Sequence, residues 1–85
     1  MKANEPMIKG QDWVISFDKN VALKSFDDYP ELPTLGNRWT STNLQNHYLR
    51  FNSEIPKEEL RQKLAEILEV SEETITLSNP PFLLL

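Results

Sequence analysis

The chain of 85 residues contains no cysteine, so its fold must be stabilised by a hydrophobic core without disulfide bonds. Single domains typically contain roughly 100–200 residues, so a chain of this length predicts one domain. A domain of this size buries somewhat over ~60% of its unfolded surface, which is enough for one modest core. The composition, 39% hydrophobic and 26% charged, is typical of a globular protein. The disulfide-rich class of small secreted domains is excluded.

The scarcity of reactive and flexible residues limits the chemistry that the chain can perform. It has one histidine, His47, and two glycines, Gly10 and Gly36. Thiolate catalysis and cysteine-containing zinc sites are impossible, and a multi-histidine metal site lacks ligands. Phosphate-binding loops need clustered glycines, which are absent. We therefore expect a binding protein rather than an enzyme, with no catalytic residues, no metal ligands and no cofactor.

The charge is negative and unevenly distributed. The net charge is −4, and residues 54–85 carry seven acidic side chains against three basic ones. A nucleic-acid-binding protein normally presents a basic patch, so we expect no direct contact with DNA or RNA. An acidic decoy that occupies the nucleic-acid site of another protein is an alternative.

No segment has the composition of a membrane anchor or a secretion signal. A membrane-spanning helix needs about 18 apolar residues in succession, and no such run occurs. The first residues have no apolar signal core behind them. These features predict a cytoplasmic protein that does not interact with membranes.

Alternating hydrophobic residues predict strands in the first part of the chain. In residues 13–17, Trp13, Ile15 and Phe17 recur with the period of a strand. Turn-forming residues follow, and residues 21–26 are expected to form the return strand of a hairpin. Residues 38–42 and 48–51 predict two further strands. A hairpin that brings Trp39 near Tyr48 is the preferred connection, and a helical turn that begins near Ser41 or Thr42 is the alternative.

Helical periodicity predicts an amphipathic helix over residues 56–69. Pro56 suits the first helical position, where its missing N–H costs nothing. Two surface ion pairs are expected, Glu58 with Arg61 and Glu59 with Lys63. Val70 is expected to pack at the helix end. The apolar stripe consists of Leu60, Leu64, Ile67 and Leu68.

These elements together predict a small α+β fold. Residues 71–74 suggest a capped turn and residues 75–78 a strand, so residues 48–78 form a βαβ unit with parallel strands. We expect a small mixed β-sheet, made of an N-terminal hairpin, further strands and the C-terminal βαβ unit, with the amphipathic helix on one face. Residues 1–11 are expected to form a flexible lead-in, residues 12–78 the single domain, and residues 79–85 an apolar tail with two prolines.

Candidate binding residues come from the proline-containing loop of residues 27–36, the following strands and the tail. Tyrosine, tryptophan and arginine are enriched in binding hot spots. Core packing is the favoured role of Trp39 and a structural or surface role that of His47, with partner binding by Trp39 and general-base catalysis or ligand recognition by His47 as the alternatives. The tail can close the domain or dock to a partner. The proposed contact residues are Tyr29, Leu32, Arg38, Trp39, His47, Tyr48, Arg50, Phe82 and Leu83.

The sequence thus favours a non-enzymatic protein–protein interaction module that regulates a larger complex or serves as its accessory subunit. Its expected partner is another protein, or a second copy bound through an edge strand or the tail. Besides the acidic decoy, a minimal enzyme or small-ligand-binding domain that uses His47 with Arg38 and Arg50 is an alternative. Deletion of residues 82–85 is expected to weaken binding more than folding.

Overall fold

The computed structural model describes residues 10–79, which form a four-stranded β-sheet and one α-helix. The small α+β fold is therefore confirmed. Residues 1–9 of the expected lead-in and residues 80–85 of the expected tail, with Phe82 and Leu83, lie outside the described residues. The strands are β1 (Gln11–Phe17), β2 (Asn37–Arg38), β3 (Tyr48–Ser53) and β4 (Ile75–Ser78), the helix is α1 (Lys57–Leu68), and 3₁₀ turns lie at Phe26–Asp28, Leu32–Thr34, Leu44–Asn46 and Glu72–Thr74.

The sheet is antiparallel rather than mixed. Its strand order is β2-β3-β1-β4, and every neighbouring pair is antiparallel. Because β3 and β4 both run opposite to β1, they run parallel to each other, as the βαβ prediction requires. They are not hydrogen-bonded to each other, however, because β1 lies between them.

The predicted N-terminal hairpin is wrong, since residues 21–26 do not form a strand. Both edges of β1 are already paired, one with β3 and one with β4, so no edge remains for a return strand. The backbone of this segment bonds to side chains instead. The carbonyl of Val21 accepts a hydrogen bond from His47 Nε2 at 2.8 Å, and the N–H of Lys24 donates to the hydroxyl of Tyr29 at 3.0 Å.

The predicted second hairpin exists, and its connection contains a helical turn, which begins at Leu44 rather than near Ser41 or Thr42 as the alternative expected. Arg38 of β2 lies opposite Phe51 of β3. The first strand of this hairpin, predicted over residues 38–42, is shorter than expected, because β2 consists of Asn37 and Arg38 alone. The 3₁₀ turn lies at Leu44–Asn46, and His47 then adopts the left-handed conformation, with φ of 63°, that directs the chain into β3.

The helix and its surface ion pairs match the prediction. Pro56 was expected to be the first helical residue but lies just before it, because α1 begins at Lys57. The helix ends at Leu68. Arg61 contacts Glu58 at 2.8 Å, and the ammonium of Lys63 lies 4.0 Å from the carboxylate of Glu59. Val70 packs against the core beyond the helix end, where its N–H donates to the carbonyl of Ala65.

The core lies between the helix and one face of the sheet. Alternate residues of β1, β3 and β4 are buried there, as the period-two pattern requires. Leu32, which the sequence suggested as a contact residue, is fully buried in this core, so its side chain is not accessible to a partner. The buried hydrophobic residues are Trp13, Ile15, Phe17, Phe26, Leu32, Leu44, Leu49, Phe51, Leu60, Leu64, Ala65, Leu68, Ile75 and Leu77.

Residues 10–79 include no helix with the length and apolar character that crossing a bilayer requires.

Candidate functional site

The sheet has a second face, opposite the core, on which side chains are half-buried or exposed. Because side chains alternate along a strand, the residues between the core positions point to this side. The register between β2 and β3 places Asn37 on the same side, and Trp39, the residue after β2, follows the same alternation. We call this surface the open face. It comprises Asn37, Trp39, Asp12, Val14, Ser16, Tyr48, Arg50, Asn52, Thr76 and Ser78.

Trp39 begins a row of residues that crosses the whole sheet. Its backbone N–H donates to the carbonyl of Arg50 at 2.9 Å. Arg50 lies opposite Val14 of β1, and Val14 lies opposite Ser78 of β4. The row places the indole at the β2 edge, with polar and small side chains extending from it across the sheet.

Neighbouring rows flank this central one on both sides. On one side, Asn52 lies opposite both Asn37 and Asp12. On the other side, Ser16 lies opposite both Tyr48 and Thr76. Amides and a carboxylate therefore border the central row on one side, and hydroxyl groups border it on the other.

A tight turn fixes the position of Trp39. The N–H of Thr42 donates to the carbonyl of Trp39 at 3.0 Å, which closes a tight turn. The hydroxyl of Thr42 bonds to both backbone groups of Arg50, at 2.9 Å to its carbonyl and 3.0 Å from its N–H. The Thr42 side chain thus interrupts the backbone pairing after Trp39, and the pairing resumes where Asn43 lies opposite Tyr48.

The indole of Trp39 is held in place yet remains accessible. Its Nε1–H donates to Asp12 Oδ1 at 3.2 Å, and the guanidinium carbon of Arg50 lies 4.9 Å from the ring centroid. A cation over an aromatic ring contributes roughly 0.5–1 kcal/mol at an exposed site. Trp39 is nevertheless 37% exposed, the one large hydrophobic side chain in residues 10–79 that is classed as exposed.

Asp12 connects the polar groups around the indole. Its Oδ1 also accepts a hydrogen bond from Asn52 Nδ2 at 3.0 Å, and its Oδ2 lies 3.9 Å from Arg50 Nη2. Asp12 and Arg50 are the two charged residues of the open face, and they carry opposite charges. The open face is therefore electrically balanced, although the chain as a whole is acidic.

The structure brings together Trp39, Tyr48 and Arg50 of the predicted contact residues. Arg38 lies on the other side of the sheet, because it is opposite the core residue Phe51. Its guanidinium carbon lies 4.6 Å from the centroid of the Phe26 ring, and it contacts Asp27 at 3.5 Å.

Tyr29 is also separate from the open face. It packs against the core, and its hydroxyl accepts a hydrogen bond from the N–H of Lys24. Together with Ile67 and Glu69 it lines a depression beside the end of α1. Tyr29 and Arg38 thus lie on the helix side of the molecule, so the predicted set does not form one continuous surface.

His47 connects two loops of the fold. Its Nε2 donates to the carbonyl of Val21, and its own carbonyl accepts a hydrogen bond from the N–H of Phe17 at 3.3 Å. The side chain and the backbone of His47 thus both stabilise the fold. Within the part of the chain that the structure describes, no group of three or more acidic, histidine or cysteine side chains is arranged to hold a metal ion.

Asp12 and Asn52 belong to the site but were absent from the sequence-based set. Asp12 directly precedes the predicted strand of residues 13–17, whereas the observed strand begins at Gln11, so the prediction did not include the alternation that places Asp12 on the open face. Its proximity to Trp39 depends on the pairing of β1 with β3, which no local pattern reports. Asn52 lies at the end of β3, one residue beyond the predicted strand.

No protein-family model, curated protein or solved structure matches the chain.

Proposed function

We propose that this protein is a small non-enzymatic interaction module that binds another protein through the open face, as a regulator or accessory subunit of a larger complex. The observation that carries the proposal is the exposure of Trp39, whose indole is fixed by Asp12 and Arg50. The proposal includes a cytoplasmic location.

The physical argument rests on the cost of ordering a contact residue. An immobilised side chain costs about 0.5–1.5 kcal/mol when it becomes fixed only on binding. The hydrogen bond and the stacked guanidinium already restrain Trp39, which lowers this cost. Tryptophan, tyrosine and arginine dominate binding hot spots. Trp39, Arg50 and Tyr48 supply one of each on the same face.

The alternatives receive less support from the contacts. For a decoy, the acidic surface would have to resemble a nucleic acid, but Arg61 and Lys63 on α1 pair with its own glutamates. For an enzyme, His47 would have to act through Nδ1 together with Arg38 and Arg50, but Arg38 and Arg50 lie on opposite sides of the sheet. A protein contact at Trp39 requires neither feature.

The test uses tagged protein to capture binding partners from extracts of the native host, with crosslinking to identify the residues in contact. We expect Trp39→Ala to weaken partner binding by roughly 30-fold or more, because a hot-spot truncation costs about 2 kcal/mol. Gln62→Ala, an exposed residue of α1, is the matched control and should bind like the unaltered protein. Thermal unfolding of both variants verifies the fold. Undiminished capture by a folded Trp39→Ala variant would contradict the proposal.

A further inference from the structure

We propose that two copies of this chain associate through the outer edge of β4, with β4 of one copy paired antiparallel to β4 of the other. The inference concerns a part of the molecule other than the Trp39 contact and does not rest on the proposed function. It is carried by the outward-facing backbone groups of β4, by the lack of charge along this strand and by the match between the strand and an antiparallel copy of itself.

The hydrogen bonds of β1 show which backbone groups of β4 face outward. The N–H of Asp18, just after β1, donates to the carbonyl of Thr74 at 3.0 Å, on the β4 side. The N–H of Phe17 donates to the carbonyl of His47, on the β3 side. Successive residues thus bond to opposite neighbours, as antiparallel pairing requires. Thr74 is therefore a position that bonds towards β1, and every second residue after it does the same.

This alternation turns two residues of β4 to the outer edge. Thr76 and Ser78 direct their backbone groups to β1, and those of Ile75 and Leu77 point away from it. The N–H of Ile75 donates to the carbonyl of Glu72 in the preceding turn. Within residues 10–79, β4 is the last strand of the sheet, so the carbonyl of Ile75 and both backbone groups of Leu77 have no strand beside them.

The β4 edge lacks the features that commonly prevent pairing with another chain. Native edge strands are protected by charged side chains, by proline or by being very short. The four residues of β4, Ile75–Ser78, include neither a charge nor a proline. At the opposite edge of the described sheet, β2 has only two residues, and one of them is the charged Arg38. Of these two edges, that of β4 is therefore the one suited to self-pairing.

An antiparallel copy of β4 centred on Leu77 satisfies all three outward groups. The N–H and carbonyl of Leu77 bond to the carbonyl and N–H of Leu77 in the second copy. The carbonyl of Ile75 accepts a hydrogen bond from the N–H of Asn79, which continues the alternation just beyond the strand. The edge thus complements itself, which is why a second copy is its expected occupant.

The side chains are compatible with this register. Residues directly opposite each other project to the same side, so Thr76 lies beside Ser78 of the second copy, a favourable pair of hydroxyl groups. The Ser78 hydroxyl already donates to the carbonyl of Val14 at 3.3 Å, so in this pair it accepts from Thr76. Ile75 and its copy are four residues apart along the strands, or ~13 Å. The acidic turns that precede β4 therefore lie further apart than the ~8 Å screening length.

The pairing gives the two open faces a defined arrangement. Both faces lie on the same side of one continuous sheet, because opposite residues share a side. Seven strand spacings of ~4.8 Å then separate the two β2 strands, so the two copies of Trp39 lie roughly 34 Å apart.

The association is expected to be weak and reversible. One strand of four residues contributes from each copy, and the side chains of Ile75 and Leu77 are already buried in the core. Little further apolar surface is removed from water, whereas stable complexes bury about 1,200–2,000 Å². We therefore expect a dimer with a Kd between about 10 μM and 1 mM.

Dilution of the full chain from about 2 mM to 50 μM, followed by sedimentation velocity and NMR, tests the inference. We expect the dimer fraction to fall on dilution while the amide signals of Leu77 and Asn79 shift. The amide of Thr76, which bonds to β1, and that of Arg38, at the other edge, are the references and should change little. A monomer at every concentration would overturn the inference, as would a dimer whose shifts lie away from β4.

Two double variants test the register. Thr76→Lys with Ser78→Lys places like charges opposite each other in the proposed pair and should weaken dimerisation at least tenfold. Thr76→Lys with Ser78→Glu places opposite charges there and should dimerise at least as well as the unaltered chain. Thermal unfolding verifies the fold of both variants. Equal dimerisation of the two folded variants would contradict pairing centred on Leu77.

Discussion

Replacement of Phe51 by alanine is expected to lower the free energy of unfolding by about 3–5 kcal/mol. Phe51 is fully buried on the inner strand β3, and its ring centroid lies 6.4 Å from that of Phe26. Removal of the ring deletes buried apolar surface and leaves a cavity that strands on both sides prevent from closing. A small domain has only about 5–15 kcal/mol of total stability, so the variant should be close to unfolding.

Urea unfolding followed by circular dichroism measures this loss. Phe51→Leu is the matched control, because it retains most of the apolar volume and should cost clearly less. Leu49→Ala, another fully buried residue of β3, should cost about 2–5 kcal/mol. A loss below about 1 kcal/mol for Phe51→Ala would mean that the ring is not packed in the core as described.

Replacement of Gly36 by alanine is expected to destabilise the protein by about 1–3 kcal/mol, although it adds one methyl group. A Cβ atom at this position would collide with the carbonyl oxygen of Asn52 and lie 3.0 Å from the Phe51 ring. The carbonyl belongs to the backbone of β3, which is paired on both sides and cannot move independently. Glycine therefore permits the close approach of the two chain segments.

Gly36→Ala should also disturb the open face. A shift of β3 at Asn52 alters its bond to Asp12, and Asp12 holds the indole of Trp39. We expect a lower unfolding midpoint together with a changed NMR signal for the Trp39 indole N–H. Ser41→Ala, an exposed residue, is the control and should stay within about 0.5 kcal/mol. Unchanged stability would contradict the close approach of Gly36 to β3.

Elements with a strong local pattern were predictable from the sequence. Period-two alternation identified β1 and β4, and helical periodicity identified α1 and its two ion pairs. These signals depend on neighbouring residues, so one chain segment contains all the necessary information. The α+β fold class follows from these elements together.

Long-range pairing was not predictable from such patterns. Residues 21–26 have strand composition, but they form no strand because β3 and β4 occupy both edges of β1. Leu32 lies in a loop with two prolines, which suggested exposure, yet it is fully buried. In both cases the outcome depends on contacts with distant segments of the chain, and local propensity does not report those contacts.

The candidate site was partly predictable for the same reason. Trp39, Arg50 and Tyr48 were recognised by residue type, but the expectation that Trp39 packs in the core was wrong, since its side chain is exposed. The position of its ring follows from the turn that Thr42 closes and from the bond to Asp12. Asp12 is 27 residues away along the chain, so only the sheet register brings the two together.

The most direct test of a binding surface on the open face is site-specific photocrosslinking in the native host. A photoreactive amino acid is placed at Ser16, on the open face, or at Gln62, on the outer side of α1; both positions are exposed. We expect a discrete crosslinked partner from Ser16, lost when Trp39→Ala is added, and none from Gln62. A partner crosslinked from Gln62 but not from Ser16 would show that the protein binds through its helix and would contradict the proposal.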